Sequence, residues 1–465
     1  MIQKAVFFPS KNKKIASGFK FKLFSYMMRY RNALFTITTG VIITGCSLKR
    51  PDPAKADAVT TPSGQPVKLA APYQTKSTRN FCEVIGWPKG KLPIAPAGFK
   101  VNLYADGLDN PRNIYVTPNG DILVSEANTE ISGIKRVGAN IIGASASQNY
   151  NKSANRVTLL RDTNGDGIAD IKKIFLSGLN KPYGMLILNG WFYVANTDAL
   201  WRYPYKAGQT GITGRGQKIL NLPAGGYNNH WTRNLRANKD GSKIYISVGS
   251  GTNDAEHGME VEARRADILE IDPDGKHEQI YAAGLRNPAG LDFEPATNVL
   301  FTAVNERDDL GDNLVPDYLT SVKENGFYGW PFAYFGKHED PDHIGERPDL
   351  VRKSITPDLA LGSHTASLGL AFYTGNKFPA KYHGGAFIGQ HGSWNSSKLV
   401  GYKVVFAPFI NGKPNGALED FLTGFVADEA KGKVYGRPVG VAVLPDGTIL
   451  VADDTSNRIW RVSAL

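Results

Sequence analysis

The stretch GLRNPAGLDFEP, Gly284 to Pro295, decides the fold. It carries a Pro, a small residue two places later and then a turn, and this outline recurs along the chain. Pro111, Asn113 and the turn Pro118-Asn119-Gly120 precede the alternating run DILVSE. Pro182, Gly184 and Asn189-Gly190 precede WFYVAN, and Pro438, Gly440 and Pro445-Asp446-Gly447 precede TILVADD. Two further copies keep the register without the Pro: Thr232, Asn234 and Asp240-Gly241 before KIYISVGS, and Ser367, Gly369 and Thr374-Gly375.

β-branched and aromatic residues alternating around Asn-Gly and Asp-Gly turns are hairpin chemistry, so each unit reads as two short antiparallel strands. Several units continue into a third strand, expected at Ile134–Val137, Leu200–Tyr203, Ile268–Ile271 and Ile459–Val462. A sheet this small cannot bury both of its faces, whereas copies stacked around an axis cover one another. One small sheet per irregular period predicts an all-β fold, a β-propeller, and the count is six blades. The alternating FKVNLYA, Phe99–Ala105, precedes the first unit and is expected to complete the last blade, which removes the open sheet edge.

The chain has 465 residues, 42% of them apolar, with 50 Gly and 27 Pro. That composition suits one globular domain rich in turns. Residues 1–46 read as a leader: eight Lys and Arg, no acid, then the apolar run Ala33–Thr44 ending in Ile43-Thr44-Gly45-Cys46. The run is shorter than the ~20 residues that span a bilayer, as in a secretory signal; an uncleaved anchor is the alternative. Its ending resembles a bacterial lipobox, with Ile43 where Leu is usual. That implies lipidation of Cys46 and a periplasmic, lipid-anchored protein at the outer membrane. Met27 or Met28 would give the leader a more ordinary length.

The net charge is +11, from 54 basic against 43 acidic side chains, and falls to +3 once the leader's eight cations are removed. Nucleic acid is therefore not an expected partner. After lipidation of Cys46 only Cys82 remains, which excludes an intrachain disulfide. Residues 47–91 read as an aperiodic tether and 92–465 as the propeller.

Two insertions stand out. Gly138–Asn155 is small and polar, and reads as a surface loop. Asn305–Gly362, expected between the fourth and fifth blades, carries NERDDLGD and GFYGWP; loops of that length are usually functional. GFYGWP itself reads as an aromatic packing corner. The motif DTNGDGIAD has oxygen side chains at relative positions 1, 3, 5 and 9, namely Asp162, Asn164, Asp166 and Asp170. With Gly167 at position 6 and the Ile168 carbonyl, this matches an EF-hand type calcium loop, although Lys173 stands where the bidentate Glu belongs. An Asp-rich turn is the other reading.

Aligning the units exposes a second signal. Two places before the Pro stand Asp109, Asn180, His230, Arg286, Thr365 and Gly436, followed by Asn110, Lys181, Trp231, Asn287, Ala366 and Arg437. Purely structural positions would resemble one another, and these do not. In a propeller they would ring one mouth of the axial channel, where Lys181, Arg286 and Arg437 against Asp109 make a cationic rim suited to carboxylates or phosphates. His364 and His391 fall near the same rim.

AGLRNPAGLDFEP, NNHWTRNLRANKDGSKIYISVGS, VNERDDLGD with NGFYGWP, GQHGSWN and GRPVGVAVLPDG together resemble the soluble quinoprotein glucose and sorbosone dehydrogenases, closer to the sorbosone branch. The resemblance runs from about residue 92 to the end. It implies a six-bladed propeller that binds pyrroloquinoline quinone (PQQ) and calcium and oxidises a sugar or sugar aldehyde, passing electrons to an external acceptor. His230 matches the family's catalytic base, and Arg286 and Asn287 its quinone-binding pair. Arg437 matches an Arg that binds a cofactor carboxylate. The loop Glu306–Asp312 matches the calcium loop, with Asp308 and Asp312 around the metal. Where the sorbosone branch commonly has Arg after HGSWN this chain has Ser396, leaving Lys398 as the substitute. Ala289 replaces a family Gln, and Ser250 or Asn253 lies where an aspartate assists the base.

The residues suit that chemistry: hydride leaves a sugar carbon as its hydroxyl proton is removed, and a neutral His is the usual base. Two other functions remain open on the same architecture, a calcium-dependent sugar lactonase and a non-catalytic ligand-binding propeller.

Overall fold

The computed structural model describes residues 57–148, 150 and 152–465. The expected leader and Cys46 lie outside them. Among the described residues, six antiparallel sheets of four strands or more follow one another along the chain. The first runs outward from Pro111–Val116 through Ile122–Glu126 and Arg156–Arg161 to Ile171–Leu176. The others begin at Met185–Leu188, Leu235–Ala237, Gly290–Phe293, Ser367–Phe372 and Pro438–Val443. This is the expected β-propeller. Phe99–Ala105 forms the outer strand of the sixth blade, antiparallel to Arg458–Ala464, so the two ends of the propeller close the ring.

The recurring small residue has a structural cause. At Asn113, Gly184, Asn234, Gly290, Gly369 and Gly440 each innermost strand meets the next. Asn113 Nδ2 donates to the Tyr183 carbonyl at 3.2 Å, and Asn234 Nδ2 to that of Ala289 at 2.9 Å. The Gly184 amide donates to Arg233 O at 2.8 Å. A Cβ on Gly290 would lie 2.8 Å from Leu370 Cβ, one on Gly440 2.6 Å from the Arg112 carbonyl, and one on Gly369 would collide with the Val439 carbonyl. Six strands drawn this close leave room only for Gly or for an Asn that bonds across.

The second strands, such as Ile122–Glu126, Ile244–Val248, Leu300–Val304 and Ile449–Asp453, are buried at every residue because neighbouring sheets cover both faces. Ile114, Ile122 and Val124 of the first blade thus share a core with Ala442, Leu450 and Ile459 of the sixth.

Three expectations need correction. Ile134–Val137 is not a strand: it lies in the helix Gly133–Ile141, and Arg156–Arg161 is the third strand. Ile134, Val137 and Ile141 repeat at three and four places, which is helical spacing. Residues 57–91 are not a free tether. Cys82 and Trp87 are buried in an aromatic core, Trp87 Nε1 donates to Asp453 at 2.7 Å, and Glu83–Val84 pairs with Lys433–Val434. The Asn305–Gly362 insertion sits inside the fourth blade, whose third and fourth strands are Pro316–Ser321 and Leu359–Ser363. Its Gly326–Phe327 extends the third blade in parallel.

Candidate functional site

The blade-entry loops enclose a cavity of about 350 Å³. Asn110, His230, Trp231, Arg286, Asn287, Ala366 and Arg437 of the aligned rim line it together, so the residues singled out by register do share one site. Asp109, Asn180, Lys181, Thr365 and Gly436 are not among its lining residues. The cationic rim is therefore corrected: Arg112, Arg286 and Arg437 are matched by Asp308, Asp309 and Asp454, three charges of each sign.

His230 stands before the third blade's inner strand. Its Nδ1 lies 3.0 Å from the Ser250 carbonyl and 2.9 Å from Ser250 Oγ. That hydroxyl spends its own proton on Thr252 O at 2.7 Å. Both partners of Nδ1 are acceptors, so Nδ1 carries the hydrogen and Nε2 keeps its lone pair. Burial, then the charge of Arg286, holds this imidazole well below its ordinary pKa and keeps it neutral at pH 7. Ser250 thus does the orienting that an aspartate does elsewhere.

Gly249, which the sequence reading overlooked, lets His230 approach Asn287. A Cβ there would fall 2.6 Å from His230 Cβ and 2.5 Å from Asn287 Oδ1. Asn287 Oδ1 itself is buried without a hydrogen-bond partner.

The two expected ligand-holding arginines are spent on the protein. Arg286 donates to Asn253 O at 2.9 Å, to Asn253 Oδ1 at 2.8 Å and to the Asn305 and Glu306 carbonyls. Trp330 of GFYGWP donates to the same Asn253 carbonyl at 3.0 Å, so the aromatic corner braces the Arg286 partner. Arg437 donates to His391 O at 3.0 Å, Gly392 O at 2.8 Å and Ser147 O at 3.0 Å. Ser147 belongs to the insertion read as a surface loop, yet it is fully buried. Arg437 thus lines the cavity and also pins this insertion in place. Lys398 is exposed and lies outside the cavity lining.

The expected metal groups divide as well. Asp308 lines the cavity but pairs with His364 Nδ1 at 3.1 Å, and His364 Nε2 donates to Gly311 O at 2.8 Å. Burial alone would lower the pKa of His364, but Asp308 and the Gly311 carbonyl hold it above its usual value. Asp312 lies outside the lining and accepts from Ser397 N at 3.1 Å. In the other loop Asp162 accepts from the Gly165 and Gly167 amides, Asn164 from Asp166 N, Asp166 from Ile168 N, and Asp170 from Thr163. Among the described residues no three His, Cys, Asp or Glu converge as a metal-binding group. In this structure the loop's side-chain oxygens accept from its own backbone.

A second cluster, of which the sequence singled out only His391, lines the same cavity. His391 Nε2 donates to Asp454 at 2.9 Å, and Arg112 Nη1 pairs with the same carboxylate. The Arg112 guanidinium carbon lies 5.4 Å from the Trp231 ring centroid. Burial and Arg437 push His391 down to about 4; against burial, His391 and Arg112 hold Asp454 down at about 2. The available signal was weak: Arg112 follows the repeat's Pro and Asp454 ends TILVADD. Finally, six of the thirteen buried side-chain polar atoms without a partner among the described residues line this one cavity: Asn110 Oδ1, Arg112 Nε, both Asn128 amide atoms, Asn287 Oδ1 and Thr455 Oγ1. Three of these are amide oxygens that accept and the other three can donate, so the cavity offers both halves of a hydrogen bond to a polar ligand or to water.

Residues 95–459 match the profile of a family described as a domain of unknown function, DUF7133. The chain belongs to that family. An uncharacterized protein of Borreliella burgdorferi is 30% identical over 383 residues, 79% of this chain and 89% of that protein. Among solved structures, the holo PQQ domain of Coprinopsis cinerea pyranose dehydrogenase has a TM-score of 0.65 at 20% identity, covering 82% of this chain and all of that one (100%). The calcium structure of the Trichoderma reesei family AA12 carbohydrate-active enzyme gives 0.66 at 19%, covering 83% and 100%. The PQQ-bound aldose sugar dehydrogenase of Streptomyces coelicolor gives 0.51 at 16%, covering 80% and 99%. At these identities the likeness is one of fold.

Proposed function

We propose that this protein is a PQQ-dependent dehydrogenase that oxidises a sugar or sugar aldehyde, with His230 as the base. The observation that carries the proposal is the fixed tautomer of His230, whose free Nε2 adjoins a cavity holding six orphaned polar atoms. The fold shared with PQQ-binding sugar dehydrogenases supports it. The residues present fit the cofactor in size and chemistry: about 350 Å³ accommodates a planar tricyclic acid, and beside His230 the Asn287 amide nitrogen can donate to a quinone oxygen while its unpaired Oδ1 can accept from a hydroxyl. Bound PQQ supplies the ortho-quinone that accepts the hydride. His230 Nε2 takes the hydroxyl proton of the sugar, Ser250 keeps the ring turned for that transfer, and Arg286 lends positive charge close to developing negative charge.

Calcium fits less well. Asp308 answers to His364 and Asp312 to Ser397, so no step is derived through a metal.

The proposal extends to export and anchoring through Cys46, with an external electron acceptor on the periplasmic side; Cys46→Ser should move the protein from the membrane fraction to the soluble one. The central test is to titrate PQQ into the apo protein and follow dye reduction with aldoses and sorbosone. Saturable PQQ uptake with sugar-dependent reduction is expected. Sugar binding without PQQ uptake would make this a ligand-binding propeller instead.

A further inference from the structure

We propose that Arg112, with Asn128 and Thr455 of the same cavity lining, forms a carboxylate-binding subsite. The inference rests on the PQQ reading only for which acid is bound. Arg112 is positioned on two sides by the protein. Its Nη1 pairs with Asp454, which is itself held by His391, and its plane packs near Trp231, whose Nε1 donates to Thr129 Oγ1 at 3.0 Å. Among the described residues its Nε and Nη2 have no hydrogen-bond partner, and Nε is buried. That free edge is the one that meets two carboxylate oxygens in parallel.

The neighbours match the edge. Asn128 adjoins Thr129 under Trp231, and both its amide atoms are buried and unpaired; Thr455 adjoins Asp454, and its hydroxyl is unpaired too. A buried donor without a partner is unfavourable, and a ligand oxygen relieves it. Arg286 and Arg437 line the same cavity but give their donors to backbone carbonyls, which leaves Arg112 as the lining guanidinium with an open fork. Two acids offer the required group: the cofactor, through one of its carboxylates, and a sugar acid taken as substrate.

The test uses the full chain as apo protein, titrated with PQQ by tryptophan fluorescence and with glucuronate and glucose by calorimetry, for wild type, Arg112→Gln, Arg112→Lys and Thr455→Val. Thermal melts confirm that each variant is folded; should Arg112→Gln fail to fold, Arg112→Lys, which keeps a cation for Asp454, and Thr455→Val carry the test. A rise in the Kd for PQQ of ~10–100-fold in Arg112→Gln and less in Thr455→Val assigns the subsite to the cofactor. Unchanged PQQ affinity with a comparable loss for glucuronate, but not for glucose, assigns it to the substrate. If folded variants bind both acids as wild type does, or wild type binds neither, the subsite is refuted. Wild type that binds glucuronate but not PQQ sinks only the PQQ reading.

Discussion

The two walls of the cavity treat their charges differently. On the wall of the third and fourth blades, Arg286 gives four hydrogen bonds to Asn253, Asn305 and Glu306, and beside it stand neutral groups open to a ligand: His230 Nε2 and the Asn287 carboxamide. On the wall of the sixth and first blades, Arg112 is held at one edge by Asp454 and keeps the other open. Arg437, between them, resembles Arg286: its guanidinium ties His391, Gly392 and Ser147 together. An arginine at the mouth of a propeller is thus no guide to ligand binding until its donors are counted.

The largest test of this contrast is His230→Ala. It should lower turnover by about 10²–10⁴-fold, the usual contribution of a positioned base, while PQQ uptake stays near that of wild type. Retained turnover would remove the neutral wall from the chemistry.

Arg437→Ala should act on stability, because it strands three buried carbonyls. Denaturant melts should show a loss of roughly 3 kcal/mol or more, at about 1–3 kcal/mol for each buried carbonyl left without a donor. A melt like that of wild type, combined with weakened PQQ binding, would show that Arg437 belongs with Arg112 after all.

His391 is one of the buried imidazoles, with His230 and His364, that shape the pH dependence of stability. Its folded-state pKa of about 4 lies below the ordinary histidine value, so protons bind the unfolded chain first. The contribution of His391 should be complete above about pH 6.5 and fall by about 3 kcal/mol as the pH drops through that value toward 4. Asp454, held at about 2, works in the same direction lower down: its contribution is present above the ordinary carboxylate value and fades as the pH approaches 2. His391→Asn should flatten the upper part of that slope, and an unaltered slope would show that His391 is not its source.

Gly249→Ala should be milder. The added methyl presses on His230 and Asn287 at 2.6 and 2.5 Å, and shifts of that kind cost about 1–3 kcal/mol. Turnover should fall more than stability, since the displaced groups are the base and its neighbour. Equal kinetics would mean that the two walls tolerate relative movement.

Most of the architecture was legible because it is written in local chemistry. Asn-Gly and Asp-Gly turns set the hairpins, and the Pro register marked all six blade entries. The same alignment brought His230, Arg286, Asn287 and Arg437 to one cavity. The misreadings share a cause. Ile134–Val137 reads as a third strand of the repeat and Gly138–Asn155 as a small, polar loop, in a region whose spacing is helical, and Ser147 is covered by Arg437 and Cys82 from distant parts of the chain. Residues 57–91 looked like linker, yet Cys82 and Trp87 find a core formed by residues more than 280 positions away. Asp308 and Asp312 are near neighbours in the chain, but their carboxylates turn to His364 and Ser397.

By itself the sequence determined the all-β class, the repeat and the radial order of its strands, because turn propensity and alternation act over a few residues. Only the tertiary structure decided which of three cavity arginines keeps donors for a ligand and which tautomer His230 adopts. Those outcomes depend on the hydrogen-bond partners that distant blades bring within about 3 Å, and such partners have no fixed separation along the chain.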